Sequence, residues 1–438
     1  MNGRWWFITP EGNPFVMIAV DGVGFEDGLN MNTMEYPGKP EIGKDFAELP
    51  PREGRFADCW WSPPVGWMGV EQEGVWRFNF FRANVIRGFG SENYGRRFEN
   101  LVQRRLIDWG FNSRGKWTGK DGSDRPLPFI QVAGLEIEKG IDFTSYNGLA
   151  DPWDPYYPTA VENRVKQLAR DYGSDPYFIG FTIGNEEWWD GEVTTAVLES
   201  RPAKPAKKEF VRQLQSQYKD IQALNQKCQA GWVSFDEVLE TDLTDYKDSL
   251  KDEITRFIEL SSGQFYRVWR EAVDTHDPGR LILGSSFVLW WKCCPEWVRG
   301  SIPYCDAMML DDYPLEADGI LTNYVQAFAV PADKPVLLGE YSFTTAQRGF
   351  KPYRCQVASQ KERGLHYQKF NEKLFAHPNW VGSMWFLYRD QVLLGRNPDN
   401  TGESHNFGLV DICNIPYYEM VNIMKATNKK LYSIHAGE

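Results

Sequence analysis

Residues 178–186, Phe-Ile-Gly-Phe-Thr-Ile-Gly-Asn-Glu, decide how the rest of the sequence is interpreted. The run follows Pro176 closely, is largely apolar without helical spacing, and ends at the polar pair Asn185-Glu186. Short apolar runs of this kind are typical of buried strands in parallel sheets. In α/β proteins, functional side chains gather at the carboxyl ends of such strands. Glu186 is therefore a candidate functional carboxylate.

A second stretch has the same form. Residues 335–341, Pro-Val-Leu-Leu-Gly-Glu-Tyr, again predict a buried strand that delivers one glutamate, Glu340, at its end. Two carboxylates at the ends of two strands are what the hydrolysis of a glycosidic bond requires. Each glutamate alone is also consistent with a surface loop carboxylate, and Glu187 competes with Glu186. The pair together favours catalysis.

Composition excludes several classes of partner. The 438 residues carry a formal net charge of −12, which argues against nucleic acid or an anionic membrane as partner and suits a neutral substrate. No stretch approaches 18 apolar residues, so no transmembrane helix is expected. Seven cysteines lack metal-site spacing, and their odd number disfavours a complete disulfide framework, although one or two bridges are not excluded. No metal site and no cofactor are predicted. The compartment and the oligomeric state are left open.

The order of predicted elements indicates a barrel. Two strands around a turn occupy residues 4–25, and the second is taken as barrel strand one. Further strands are expected at 111–114, 128–133, 178–183, 281–287, 307–312, 335–340 and 381–387, interleaved with helices near 94–109, 159–172, 204–227, 250–274, 317–329 and 359–376. Alternating strands and helices predict parallel βαβ units, and eight units favour a closed (β/α)8 barrel. We expect one catalytic domain over residues 1–438, with a long aromatic-rich loop at 26–93 and a helical insertion at 188–250.

The sequence resembles the clan A glycoside hydrolases, which are TIM barrels with an Asn-Glu acid/base after strand four and a nucleophilic Glu after strand seven. Asn185-Glu186 and Glu340 match these positions. Segments at 210–225 and 234–237 resemble the region after the acid/base in agarase-like and β-galactosidase-like members, and segments at 3–15 and 407–417 resemble the agarase-like branch. The chain departs from that branch at Gly184, where an Asp often stands.

The resemblance implies a retaining mechanism with carboxyl groups about 5–5.5 Å apart. Glu340 would be the ionised nucleophile. Glu186 would be the general acid and then the base, its pKa raised by apolar neighbours and by the second carboxylate. Asn185 would hold the substrate 2-hydroxyl, and Tyr313 would donate a hydrogen bond to the nucleophile. Arg114 would keep Glu340 ionised, with Arg82 and Arg87 as competitors for that role.

Tryptophans are the further substrate-binding candidates. Trp385 matches a platform beneath the sugar at the reacting subsite. Of Trp188 and Trp189, one is expected to line the cleft and the other to pack beneath it. Trp60 and Trp67, with Trp61, are expected to form distal subsites or, equally, a hydrophobic lid over the barrel end.

These expectations combine into a retaining β-glycoside hydrolase that acts on a β-linked, galactose-containing polysaccharide or its oligosaccharides. The alternatives are a β-glucanase or β-mannanase on the same barrel, or a carbohydrate-binding barrel without turnover. The galactan choice rests on the resemblance alone, since a fold does not determine a substrate.

Overall fold

The structure is a computed structural model that describes residues 2–24, 31–44, 46, 48–118, 123–124, 126–135, 149–199, 202, 204–289 and 291–438. The chain divides into two compact units. Unit 1 comprises Met1–Gln131, Asp312–Gln326 and Val336–Glu438, and unit 2 comprises Val132–Asp311 and Ala327–Pro335.

The strands of the described residues fall into three sheets. In chain order they are β1 Phe7–Ile8, β2 Pro14–Phe15, β3 Met17–Val20, β4 Asn32–Glu35, β5 Trp60–Trp61, β6 Trp76–Phe78, β7 Ser113–Arg114, β8 Phe129–Ala133, β9 Phe178–Ile183, β10 Leu281–Ile282, β11 Met308–Asp311, β12 Val336–Tyr341 and β13 Trp380–Trp385. The helices are Phe80–Phe89, Tyr94–Asp108, Tyr157–Tyr172, Trp189–Leu198, Pro205–Tyr218, Ile221–Cys228, Phe235–Glu240, Lys251–His276, Pro295–Ser301, Asp318–Ile320, the π-helical Leu321–Ala329, Val330–Ala332, Gln360–Phe375 and Tyr418–Ala436.

Parallel pairing dominates both units. In unit 1, β3 lies between β7 and β13, β13 pairs with β12, and Arg114 of β7 pairs with Phe129 of β8. In unit 2, β9 pairs with β10, and a bridge between Phe287 and Leu310 continues the pairing to β11. The amide of Gly184 donates to Ala133 at the end of β8. The predicted α/β fold with eight parallel strands of the TIM-barrel type is confirmed.

The amino-terminal hairpin is confirmed as well. β1 and β2 pair in antiparallel fashion, and in the turn the amide of Thr9 donates to the carbonyl of Asn13 while the amide of Gly12 donates to the carbonyl of Thr9. Gly12 has a positive φ of 86°, which glycine adopts at low cost. The first parallel strand begins at Met17, two residues beyond the end of β2, so the second hairpin strand and barrel strand one are separate elements.

The segment 26–93 is more regular than the sequence predicts. Residues 25–30, 45 and 47 lie outside the described residues, but the described part contains the antiparallel sheet β4-β6-β5 and the helix Phe80–Phe89. Asn79 caps that helix through its side chain, which accepts from the amide of Arg82. Strands of two to four residues are too short for alternation to be recognised in a sequence, which explains why a long loop is predicted there.

This segment packs on the loop that leaves the carboxyl end of β13. The Nδ2 of Asn32 donates to the carbonyl of Gly395, 2.8 Å away, and Thr33 and Asn400 bond to each other twice. Because residues 386–417 follow β13, these bonds attach the segment to the chain that leaves the carboxyl end of that strand.

Unit 2 contains the helical insertion after β9. The predicted helix over 204–227 is divided into Pro205–Tyr218 and Ile221–Cys228, because Lys219 adopts φ 58° and Asp220 caps the second helix. The long helix Lys251–His276 packs against Tyr157–Tyr172 and Pro295–Ser301. Among the described residues, no helix is long and apolar enough to cross a membrane. All seven cysteines are free thiols.

Candidate active site

The two predicted catalytic carboxylates lie in different units. Glu340 is the penultimate residue of β12 in unit 1, and Glu186 follows β9 in unit 2. Both follow from the same local pattern, in which a largely apolar strand is buried and the first carboxylate occurs at or just after its carboxyl end.

Among the described residues, three donors contact Glu340, and all of them belong to unit 1. The Nζ of Lys116 lies 2.9 Å from Oε1, and the indole Nε1 of Trp117 donates to the same oxygen at 2.9 Å. The hydroxyl of Tyr313 donates to Oε2 at 2.7 Å. The Glu340 side chain is only 7% exposed. The cation balances the charge of this buried carboxylate, and the two neutral donors fix its orientation.

Lys116 and Trp117 are functional candidates that the sequence analysis does not single out. They lie directly after β7, where Lys116 is fully buried and Trp117, at φ 58°, remains 39% exposed. The sequence analysis assigns the stabilising cation to Arg114, two residues earlier. The guanidinium of Arg114 instead donates to the carbonyl of Val23, and Lys116 is the cation in contact with Glu340. A Lys-Trp pair just past a strand end is the signal that could have indicated this.

Tyr313 lies where the resemblance predicts a tyrosine that bonds the nucleophile. Its ring is enclosed by the rings of Tyr353, Phe386 and Phe407, with centroids 5.5–6.1 Å away. The amide of Asp312 also donates to the carbonyl of Glu340 at 3.1 Å. Backbone and side chain together fix the phenol against the carboxylate, so the donor is positioned before any substrate binds.

Trp385 does not fit the predicted role of a sugar platform. It is fully buried, its Nε1 donates to the carbonyl of Phe407, and the rings of Tyr341 and Tyr367 pack against it at 5.7 and 5.8 Å. Because Trp385 ends β13 while still paired with Val20 of β3, its side chain belongs to the core beneath the strand ends. The prediction that the Trp385 ring forms a platform for the sugar is therefore wrong.

Glu186 is held at the end of β9 by its neighbours in unit 2. Its amide donates to the carbonyl of Ser286 at 3.0 Å, and Asn185 forms a parallel bridge with the same residue. The backbone of Glu186 has a positive φ of 53°. Its Oε2 lies 3.6 Å from the Nζ of Lys292, and the side chain is 25% exposed. A partly exposed carboxylate can reach a bound substrate and exchange a proton with it.

Two neighbours bear on this assignment. Burial raises the pKa of Glu187, as a general acid requires, so Glu187 is still an alternative to Glu186. Gly184 has φ 68°, and a Cβ at that position would lie 3.1 Å from the Trp189 ring. A larger residue is therefore disfavoured there in this chain.

The two adjacent tryptophans separate as the sequence predicts. Trp189 is 1% exposed and packs against the rings of Trp297, Phe265 and Phe287, so it is the member of the pair that packs in the core and not one that contacts substrate. Trp188 is 53% exposed. Of the pair, only Trp188 can offer a ring face to a ligand.

Trp60 and Trp67 belong to the packing of the segment 26–93. Trp60 donates to the carbonyl of Pro50 and packs on a cluster that includes Phe78, while Trp67 stacks edge-on with Trp61 at 4.7 Å. Both rings are partly buried against this segment's own side chains. The packing favours the interpretation as a hydrophobic lid, and a role in sugar subsites stays a prediction.

Comparisons with known proteins place these observations in context. A family model described as Beta-galactosidase matches residues 145–337. Beta-agarase B of Vibrio sp. (strain JT0107) is 26% identical over 470 residues, an alignment that covers 99% of this chain and 48% of the relative. Beta-agarase A of the same organism is also 26% identical and is covered to 45%. The chain thus spans about half the length of these curated relatives.

Solved structures show the same fold. An exo-beta-agarase structure aligns with a TM-score of 0.87 at 23% identity, over all of this chain and 65% of that chain. At this identity the likeness concerns the fold alone. Together with the family model and the two curated relatives, it confirms the resemblance of this chain to the agarase-like and β-galactosidase-like glycoside hydrolases.

Proposed function

We propose that this chain is the catalytic part of a retaining β-glycoside hydrolase that cleaves a β-linked, galactose-containing polysaccharide or its oligosaccharides. The observation that carries the proposal is the buried carboxylate of Glu340 with its three donors, Lys116, Trp117 and Tyr313. A carboxylate that is paired with a cation and oriented at the end of a barrel strand is suited to nucleophilic attack on an anomeric carbon.

The donor pattern also indicates which oxygen attacks. A carboxylate oxygen has two lone-pair sites. Within the described ranges of the chain, Oε1 of Glu340 is contacted by both Lys116 and Trp117, whereas Oε2 has one donor, Tyr313. Oε2 is therefore the better placed nucleophile, and the donors on Oε1 would stabilise the carbonyl oxygen of the resulting ester.

Glu186 would supply the proton in the first step. As Oε2 of Glu340 bonds the anomeric carbon, the glycosidic bond breaks and its electron pair takes the proton of Glu186, releasing the leaving sugar. In the second step the ionised Glu186 removes a proton from water, whose oxygen displaces Glu340 and regenerates both carboxyl groups. Asn185, beside Glu186, would hold the 2-hydroxyl.

The substrate class is inferred from the relatives. Both curated relatives bear the name beta-agarase, and the matching family model the name Beta-galactosidase. The chain's net charge of −12 suits a neutral polysaccharide better than an anionic one. A galactose-containing, neutral β-linked chain is therefore favoured over glucan and mannan.

The proposal is tested by turnover of a panel of β-linked polysaccharides with the wild type and two variants. We expect activity on agarose or another galactan, nearly complete loss in Glu340→Gln, and loss in Glu186→Gln that is much smaller on aryl glycosides with good leaving groups. The same selective pattern in Glu187→Gln would transfer the acid role to Glu187. Binding of galactan without any turnover would instead support a carbohydrate-binding barrel.

A further inference from the structure

Two large indoles are exposed on the same part of unit 2. Trp188 is 53% exposed and Trp291 is 71% exposed. Indoles bury much apolar area when they are covered, so exposed tryptophans side by side mark surfaces that bind a partner or a ligand. Two other described tryptophans of this region, Trp189 and Trp297, are fully buried in contact with each other. Among the described tryptophans next to Glu186 along these two segments, Trp188 and Trp291 are exposed, whereas Trp189 is buried.

A short chain of contacts connects both indoles to Glu186. The amide of Trp189 donates to the carbonyl of Lys292 at 3.0 Å, which fixes the segment of Trp188 beside that of Trp291. The Nζ of Lys292 lies 4.8 Å from the centroid of the Trp291 ring and 3.6 Å from Oε2 of Glu186. Trp291 therefore lies one side chain away from the proposed acid.

Trp188 is held in place by a glycine. A Cβ on Gly191 would lie 2.7 Å from Nε1 and 2.8 Å from Cδ1 of Trp188, which is closer than real Cβ contacts occur. The indole thus lies directly on the backbone of the helix Trp189–Leu198. Such support fixes the ring orientation before a ligand arrives, which lowers the entropic cost of binding.

We propose that Trp188 and Trp291 form the subsite for the sugar on the leaving-group side of the scissile bond; this inference rests on the proposed function. The general acid gives its proton to the leaving oxygen, so the leaving sugar must contact side chains beside Glu186. The apolar face of a neutral pyranose suits an indole face, and the ammonium of Lys292 can donate to its hydroxyls. Neither glutamate needs these indoles for its chemistry, so they act on substrate selection.

Galactosyl fluoride distinguishes an effect on this subsite from an effect on the catalytic glutamates. Its leaving group is a single atom, so it has no leaving sugar to contact a tryptophan. We expect Trp291→Ala to lose at least about tenfold more in kcat/KM on the galactan oligosaccharide than on the fluoride, the size typical of a lost aromatic anchor. Gly191→Ala should give the same selective loss, because its methyl group displaces Trp188 while alanine favours the helix. The two variants change the site at different positions. If one of them misfolds, the other still tests the subsite.

Tyr177→Ala is the matched control. Tyr177 is an exposed aromatic residue of the same unit, 38% exposed, but it precedes β9 at the amino end of the strand. The Tyr177→Ala variant should keep the wild-type kcat/KM on both the fluoride and the oligosaccharide. Equal losses on fluoride and oligosaccharide in the two test variants, or no loss on either, would overturn the subsite. A wild type that hydrolyses the fluoride but no galactan would refute the galactan substrate, whereas a wild type inactive on both would refute the proposed function itself.

Discussion

The ion pair between Lys116 and Glu340 should be detectable as a coupling in stability. Both side chains are buried, with exposures of 0% and 7%, and their charged atoms lie 2.9 Å apart. Lys116→Met removes the ammonium while keeping much of the side-chain volume. The variant therefore retains a buried carboxylate that has lost its contacting cation.

The expected magnitude follows from this burial. Breaking a buried ion pair by removing one partner costs about 3–5 kcal/mol, because the remaining charge is left uncompensated. Lys116→Met and Glu340→Gln should each lower the free energy of unfolding by about that amount. The double variant contains neither charge, so we expect it to recover about 2–3 kcal/mol relative to the sum of the single losses.

Urea unfolding of the wild type, the two single variants and the double variant measures this coupling. Lys207→Met in the Glu340→Gln background is the control, because Lys207 is equally buried but donates to the carbonyls of Val197, Leu198 and Thr241. The loss of unfolding free energy caused by Lys207→Met should add to the loss caused by Glu340→Gln within about 0.5 kcal/mol. The same additivity for Lys116 would refute the argument that its charge stabilises Glu340.

Three further predictions concern other side chains of unit 1. Tyr313→Phe keeps the ring but removes the hydroxyl 2.7 Å from Glu340 Oε2, so kcat/KM should fall about 10- to 150-fold, and a fall below threefold would contradict its role. Trp60→Ala should lower the melting temperature and reduce turnover of long and short substrates equally, because its ring packs on a core cluster; a selective loss on long substrates would support a distal subsite. Burial raises the pKa of Asp390 to about 6, so the folded state binds the extra proton and loses stability as pH rises from 4 to 7. Between pH 4 and pH 7, the free energy of unfolding of Asp390→Asn, measured with urea, should fall by about 3 kcal/mol less than that of the wild type. If the free energies of the two proteins change in parallel with pH, the prediction is contradicted.

The strands that carry the two glutamates were predictable because their sequences are unambiguous. Residues 178–183 and 335–340 are short, apolar and bounded by Pro or Gly, and the structure places β9 and β12 there within one residue. Burial on both faces of a parallel strand demands such a pattern, so the position of the first carboxylate follows directly. Tyr313 could be placed for the same reason, since it follows β11 closely.

The remainder of the candidate site depends on tertiary detail that a pattern does not contain. The choice between Arg114 and Lys116 depends on where β7 ends, which a two-residue strand does not reveal. Trp385 and Trp188 both occur near strand ends, yet the first is fully buried and the second exposed. Packing by distant residues decides their exposure, and for Trp188 the absence of a Cβ at Gly191 contributes. Trp291 falls in a segment without periodicity, so nothing in the sequence marks it.

The central claim is that Glu340 attacks the anomeric carbon and forms a covalent glycosyl ester. A 2-deoxy-2-fluoro galactoside with an activated leaving group slows the second step and allows this ester to accumulate, because hydrolysis passes through an electron-poor transition state. Peptide mass spectrometry of the inactivated protein should show one fluorosugar on the peptide that contains Glu340, and no label in Glu340→Gln. A label on another carboxylate, or full turnover of galactan by a protein that carries no label, would contradict the account.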